Sequence, residues 1–226
     1  MTDDWQVVPQ PTTVGESAYQ KIRSDIVFGR LLPGKKLRLD RLKADYGASV
    51  STLREILNRL HSERLVVAEG QKGFEVAPVS IANLREIAAL RQLLECRALD
   101  QSFRAGDMEW EGRVVAAHHR LARMEEQMAQ GDRAHSEEWK RYDWQFHQAL
   151  ISACGSKMLI DNHAAVFDKY LRYQMIALSY RGEIAAQEHA LLMECALVRD
   201  SKRACEMLTR HVAGGVEHAL TTGTIS

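Results

Sequence analysis

From Ser17 onward the chain carries apolar residues at helical spacing, and the rhythm breaks in only a few places. In SAYQKIRSDIVFG, Ala18, Ile22, Ile26 and Val27 line one side, which predicts a first helix stopped near Gly29. LLPGKKLRL follows, a Pro33-Gly34 turn leading into a short extended piece. LDRLKADYG predicts a short helix with Leu39, Leu42 and Tyr46 inward and Gly47 as its stop. After a few residues SVSTLREILNRLHSERL opens on a Ser/Thr-rich cap and carries Leu53, Ile56, Leu57 and Leu60 as one stripe. VVAEGQKGFEVAP then switches to two short runs around Gly70 and Gly73, the pattern of a hairpin with Lys72 at its tip. Helix, helix, turn, helix, hairpin is the order of a winged helix-turn-helix. A small α+β domain with no DNA role is the competing reading.

Pro78 ends the hairpin, and from Ser80 the pattern is helical almost without interruption. Ser80 can cap IANLREIAALRQLLECRALDQSF, where Ile81, Leu84, Ile87, Leu90 or Ala88, Leu94 and Ala98 form one stripe. Gly106-Asp107 breaks it, and further helices are predicted over 108–130, 136–153, 156–179, 183–199 and 200–218. Six amphipathic helices on short connections predict an antiparallel bundle. The expected fold is mainly α: an N-terminal winged helix-turn-helix (α+β), residues 15–78, followed by an antiparallel all-α helical bundle, residues 79–226. Residues 1–14 hold two of the four prolines and no apolar period, and are expected to be a mobile tail.

Composition narrows the class. The chain is 46% hydrophobic and 27% charged, ordinary for a globular protein and against extended disorder. No apolar run approaches the roughly 18 residues of a membrane span, and the acidic start MTDDW lacks the order of a secretory signal, so no membrane association and a cytoplasmic location are expected. Net charge is zero, but residues 15–78 hold 12 Lys+Arg against 8 Asp+Glu while residues 79–226 hold 18 against 20. A modestly basic small domain on an acidic larger one fits nucleic-acid binding at one end. Cys96, Cys154, Cys195 and Cys205 lie far apart with no CxxC pair and are read as free thiols.

The unusual chemistry lies in WKRYDWQFHQAL. Asp143 and His147, four residues apart, share one helix face, surrounded by Trp144, Phe146, Ala149 and Leu150. His189 in QEHALLMECAL and His211 in LTRHVAGGVEHAL stand on later stripes that must also face a core. Of the nine histidines, His118, His119, His135 and His163 have charged neighbours and are expected at the surface, His61 lies near the end of the predicted DNA-reading helix, and His218 reads as a surface or helix-end residue, which leaves His147, His189 and His211. Singly, each remaining histidine reads as a hydrogen-bonded core residue. Together with an aspartate whose burial demands a compensating cation, they point to a divalent metal held by one carboxylate and three imidazoles. Zinc is the first expectation for such N and O donors, with nickel, manganese or iron also compatible.

Two resemblances follow from these residues. Leu32-Pro33-Gly34, Leu42 to Tyr46-Gly47, Leu53-Arg54-Glu55-Ile56-Leu57 with Leu60, and Gly73-Phe74-Glu75-Val76 make residues 17–78 resemble the N-terminal domain of the GntR family of bacterial transcription regulators. The resemblance implies that the leading end of the third helix enters the major groove of double-stranded operator DNA, with Ser49, Ser51, Thr52 and Arg54 reading it and Lys72 and Gly73 of the wing alongside. Arg54 can grip a guanine edge or a phosphate, and Ser49 or Ser51 can equally cap the helix. Many family members carry arginines where this chain has Asp40 and Val50; Arg41 substitutes for the first, so the operator should differ from the common one.

Arg91 to Glu95, Asp143 to Phe146-His147, Glu188-His189, Arg199-Asp200 and His211 make residues 80–220 similar to the FCD ligand-sensing domain of the FadR branch of that family. That similarity implies that Asp143, His147, His189 and His211 bind the metal and that a small carboxylate effector completes its shell. Arg91 and Arg172 are the candidates for holding the effector's far end. Arg91 is equally placed to pair with Glu95 on its own helix, and Arg172, among Tyr170, Leu171 and Tyr173, could be a solvated or interface arginine. The expected whole is a homodimeric, metabolite-responsive repressor with two recognition helices one DNA turn apart. A helical metal-dependent enzyme is one rival, but only Glu188 neighbours the cluster in sequence as a general base. A DNA binder whose bundle only dimerises is the other.

Overall fold

The computed structural model describes residues 13–68, 73–131, 134–177 and 180–225; the expected tail of residues 1–14 and the hairpin tip at Lys72 fall largely or wholly outside them. Backbone contacts divide the chain into two compact units at Pro78 and Val79.

The first unit holds α1 (Val14–Val27), β1 (Lys36–Leu37), α2 (Leu39–Tyr46), α3 (Val50–Ser62), β2 (Val66–Ala68) and β3 (Phe74–Val76). The strands form an antiparallel sheet in the order β1-β3-β2, with Leu37 opposite Phe74 and Val66 opposite Val76. Its core joins Ala18, Ile22 and Ile26 of α1 to Leu53, Leu57 and Leu60 of α3, all fully buried, with Val66 and Val76 of the sheet beneath them. On α2 only Leu42 is buried; Leu39 and Tyr46 are half-covered, and the Tyr46 hydroxyl instead donates to Asp25 Oδ2 at 2.6 Å. Gly47, in the left-handed region at φ 69°, ends α2 as only a residue without a Cβ does cheaply. The turn into α3 is therefore tight, and Ser49 begins that helix by accepting from the Thr52 backbone N–H.

The second unit holds α4 (Ile81–Ala105), α5 (Met108–Ala129), α6 (Ser136–Ile151), α7 (Lys157–Ile176), α8 (Glu183–Leu197) and α9 (Ser201–Thr221). Four of the six helices start on a side-chain cap, from Ser80, Asp107, Ser156 and Asp200. The stripe of α4 runs through Ala88, because Leu90 is 45% exposed. α8 stops two residues before the predicted end, where Arg199 turns to φ 60°. α4 lies at the centre, against α6, α7 and α9, while α5 packs on α6 and α8.

Two glycines inside α9 mark a close approach. A Cβ on Gly214 would meet Arg181 Nη1 at 2.5 Å, and one on Gly215 would collide with the Tyr170 hydroxyl. That hydroxyl donates to Val212 O at 3.1 Å, and Gln174 Nε2 donates to Gly215 O at 3.1 Å, so α7 reaches the backbone of α9 directly.

Candidate metal centre and nucleic-acid interface

Asp143, His147, His189 and His211 come together inside the bundle, from α6, α8 and α9. One potential ligand atom from each lies within 4.8 Å of the other three, and all four residues are buried. The imidazoles face each other, with ring centroids 4.7 Å apart for His189 and His211 and 5.4 Å for His147 and His211. Phe146 lies edge-on to His147 and His189, each at 5.8 Å, and keeps this side of the cluster apolar.

The second nitrogen of each ring decides what the first can do. His147 Nδ1 bonds Glu95, His189 Nδ1 bonds Glu125 Oε1 at 2.7 Å, and His211 Nδ1 bonds Glu188 Oε2 at 2.8 Å. A carboxylate on Nδ1 holds the ring proton there and leaves Nε2 with its lone pair. His147 Nε2 and His189 Nε2 then approach Asp143 Oδ1 at 3.5 and 3.3 Å, and all three atoms are buried without a hydrogen-bond partner. Electron-rich atoms left facing one another in this way are costly unless a cation sits among them. The donor set, three imidazole nitrogens and one carboxylate oxygen, fits a divalent ion of the zinc type.

Charges around the cluster point the same way. Burial pushes the Asp143 carboxyl up, but Lys140 and the two imidazoles outweigh it and hold it well below the usual carboxylate range. Lys140 Nζ donates to Asp143 Oδ2 at 3.1 Å, which leaves Oδ1 for the shared centre. Burial opposes charging His189, yet Asp143 and Glu125 on its two sides raise it to about 9, so an ion bound at Nε2 would displace a proton there. His211 moves down instead, through burial and the neighbouring His189, His147 and Arg181. The field of this pocket favours positive charge at one point between Asp143 and His189.

Of the two arginines expected beside the site, one arrives. Arg91 is 1% exposed, not on the edge of its stripe; Nε donates to Glu95 Oε2 at 2.9 Å, and Nη2 lies 3.2 Å from His147 Nδ1. It stacks on Phe167 and Tyr170 at 4.1 and 4.8 Å. Its intrahelical pair and its place beside the cluster thus coexist. Arg172 is buried next to Tyr173, whose hydroxyl serves Ser80 and Asn83 at the start of α4. Two residues beyond Tyr170 is about 200° around a helix, so Arg172 leaves the face that Tyr170 turns toward α9. Arg181, just before α8, takes the position Arg172 was expected to fill: its Nη2 donates to Glu188 Oε2 at 2.5 Å and lies 3.0 Å from His211 Nδ1.

His163 is the histidine the pattern misplaced. It is fully buried, with Nε2 on Glu95 Oε2 at 2.9 Å and Nδ1 against Gln148 Nε2 at 2.9 Å. Its charged neighbours Asp161 and Asp168 sit on other faces of α7, while Val166, Phe167 and Tyr170 continue the stripe it belongs to. Glu125, Lys140 and Arg181 were also missed. Glu125 had a readable signal, since it shares the buried stripe of Leu121, Met124 and Met128, and Lys140 adjoins Trp139 on the inward side of α6. Arg181 lies outside the helices, where no periodicity applies.

In the first unit Ser49, Ser51 and Arg54 are exposed at the leading end of α3. Ser49 Oγ accepts from Thr52 N at 3.2 Å and lies 2.8 and 2.9 Å from the hydroxyls of Ser51 and Thr52, so the cap is made by Ser49. Arg54 has no hydrogen bond or ion pair among the described residues. Arg41 is 73% exposed and faces Asp45 at 3.8 Å. Gly73 is exposed at φ 100° ahead of β3, and Lys72 lies outside the described residues.

Among the described residues no helix is long and apolar enough to cross a membrane. Residues 15–76 match the family model of the bacterial regulatory proteins of the gntR family, and residues 86–214 match that of the FCD domain. The chain is 36% identical to the HTH-type transcriptional regulator BphR of Paraburkholderia xenovorans over 89% of its own length and 83% of that protein. It is 31% identical to the HTH-type transcriptional repressor GlaR of Escherichia coli over 89% of its length and 93% of that protein. The fold is similar to that of Escherichia coli McbR/YncC, with a TM-score of 0.78 at 18% identity, covering 93% of this chain and 98% of the other. The chain therefore belongs to the GntR family of bacterial transcription regulators, in the branch whose winged helix-turn-helix precedes an FCD ligand-binding domain, and it regulates transcription rather than catalysing a reaction.

Proposed function

We propose that this regulator is a homodimeric, cytoplasmic repressor whose bundle, residues 79–226, holds a divalent metal at Asp143, His147, His189 and His211 and binds a small carboxylate there, changing the affinity of the 15–78 domain for its operator. The observation that carries the reading is the set of buried, unpartnered atoms, Asp143 Oδ1, His147 Nε2 and His189 Nε2, aimed at one point. Bound there, the ion would supply a Lewis-acidic docking point for one carboxylate end of the effector.

Charge balance supports an anionic effector. The residues touching the cluster include four carboxylates, Asp143, Glu95, Glu125 and Glu188, and three cations, Lys140, Arg91 and Arg181. With the imidazoles neutral, as ligation requires, those groups sum to one negative charge; a divalent ion turns it into one positive charge, and a carboxylate restores neutrality. A buried site pays heavily for uncompensated charge, so neutrality with both partners bound favours their joint binding. Arg91 and Arg181, beside His147 and His211, are the groups nearest to hand for the effector's other end. On the DNA side, exposed Arg54, Ser51 and Ser49 at the leading end of α3, with Thr52 beside them, are the reading residues, flanked by Arg41, Gly73 and Lys72.

The test uses full-length protein. Metal content is measured after dialysis, and small mono- and dicarboxylates are screened by thermal shift with and without chelator, since a ligand specific to the native state raises its stability. Ligands found in this way should move operator affinity only when metal is present. If the double variant Asp143→Ala, His147→Ala kept its metal and its effector response, the sensor reading would fail, leaving a bundle that serves dimerisation alone.

A further inference from the structure

Outside the metal centre, α4 and α9 run antiparallel in a register marked once per turn. Gln92 Nε2 donates to Thr209 O at 3.2 Å, and Ser201 Oγ donates to Asp100 Oδ1 at 3.0 Å. Midway between these contacts Cys96 meets Cys205. Each thiol rests on the other's backbone: Cys96 Sγ is 3.7 Å from Cys205 O, and Cys205 Sγ is 3.5 Å from Cys96 O. Reciprocal contacts of this kind bring each thiol against the other's helix, the proximity that a disulfide presupposes. Both residues are partly exposed, whereas Cys154 and Cys195 are buried.

We propose that Cys96 and Cys205 are a reversible modification site, a dithiol that a hydroperoxide converts into a disulfide joining α4 to α9. The Cys205 thiol within reach of the Cys96 sulfur draws Cys96 down against the effect of burial, while Cys205 itself is pushed up. With Cys96 as the attacking sulfur, Cys205 is the resolving one. The Cys96 thiolate attacks one peroxide oxygen; the S–O bond forms, the O–O bond breaks, and the departing hydroxide takes a proton to become water. Cys205 sulfur then attacks the Cys96 sulfenic acid; the S–S bond forms, the S–OH bond breaks, and the hydroxide leaves as water with the Cys205 proton. The two thiols lose two electrons and hydrogen peroxide becomes two waters. The bond would sit one residue after Glu95 and six before His211. It ties together the two helices that hold those groups, and it does not depend on the cluster binding a metal.

Full-length protein treated with hydrogen peroxide, alkylated and digested with trypsin is the test. Expected is one linked species, residues 92–97 joined to residues 204–210, lighter by two hydrogens than the free pair, running as a single chain on a non-reducing gel and reversed by dithiothreitol. In Cys205→Ser, a sulfenic-acid probe should label Cys96 in place of the cross-link. Full alkylation of both thiols after peroxide, cross-links between chains, a link through Cys154 or Cys195, or direct overoxidation of Cys96 in the unmodified protein would each overturn the proposal.

Discussion

Glu125→Gln isolates the contribution of one carboxylate to affinity for the proposed metal. Glu95 shares its charge among Arg91, His147 and His163, and Glu188 is divided between Arg181 and His211. Glu125 is 4% exposed, bonds His189 Nδ1 at 2.7 Å through Oε1, and its Oε2 is buried without a hydrogen-bond partner. Its charge is therefore directed at His189 more exclusively than the others are at their rings. At an effective dielectric of about 20, a unit charge about 7 Å from a divalent ion attracts it by roughly 5 kcal/mol gross. Relaxation and solvation reduce such effects to the about 10–100-fold that groups behind a metal-binding histidine typically contribute. That is about 1.4–2.8 kcal/mol. Glutamine keeps the size and an acceptor oxygen, so the loss reads the charge; Glu125→Ala, which also frees the ring, should lose at least as much. Competition against a chromophoric chelator at fixed pH measures the affinity, with Asp143→Ala as proof that the assay reads this site. If Glu125→Gln stayed within twofold of the unmodified protein while Asp143→Ala lost binding, the carboxylate would hold the fold and not tune the ion.

Other changes address the rest of the molecule. Arg54→Ala should weaken operator binding by about 1–3 kcal/mol if its contact is bidentate to guanine, read by fluorescence anisotropy; unchanged affinity rejects the contact. Arg41→Ala removes only an exposed pair with Asp45, so its unfolding free energy from urea titration should stay within about 0.5 kcal/mol of the original, and any loss of DNA binding belongs to the interface. Ser49→Ala deletes the cap of α3 and should cost about 0.5–2 kcal/mol, whereas Ser49→Gly should cost only a few tenths; equal losses would refute the capping role. Gly215→Ala forces Tyr170 off Val212 and should destabilise the bundle by about 1–3 kcal/mol, visible as a lower calorimetric Tm.

The helices and the four clustered residues were legible because both are written in periodicity. Asp143, His147, His189 and His211 occupy positions where packing alone would place Leu or Ala, and a polar residue on an apolar stripe is visible without a structure. The groups behind them were less legible for definite reasons. Glu125 stands next to Glu126, and a pair of glutamates reads as a solvated face unless the stripe of Leu121, Met124 and Met128 is followed through it. His163 was assigned by its neighbours in sequence, although on a helix those neighbours point elsewhere. Arg172 is buried, as its aromatic neighbours suggest, but adjacency along α7 separates faces and sets it on a different one from Tyr170. Arg181 comes from a connection and is placed by tertiary structure alone, with Gly214 leaving it room.

The four clustered residues are also ordered in time. Asp143 and His147 are synthesised together on α6, His189 follows on α8, and His211 comes last on α9. A chain growing from its N-terminus thus holds only half of the set while α4 and α5 have already contributed Glu95, paired with Arg91 of its own helix, and Glu125, whose partner His189 is still to come. The coordination of an ion held by all four residues is complete only once α9 has docked, so binding the ion and closing the bundle would be coupled events.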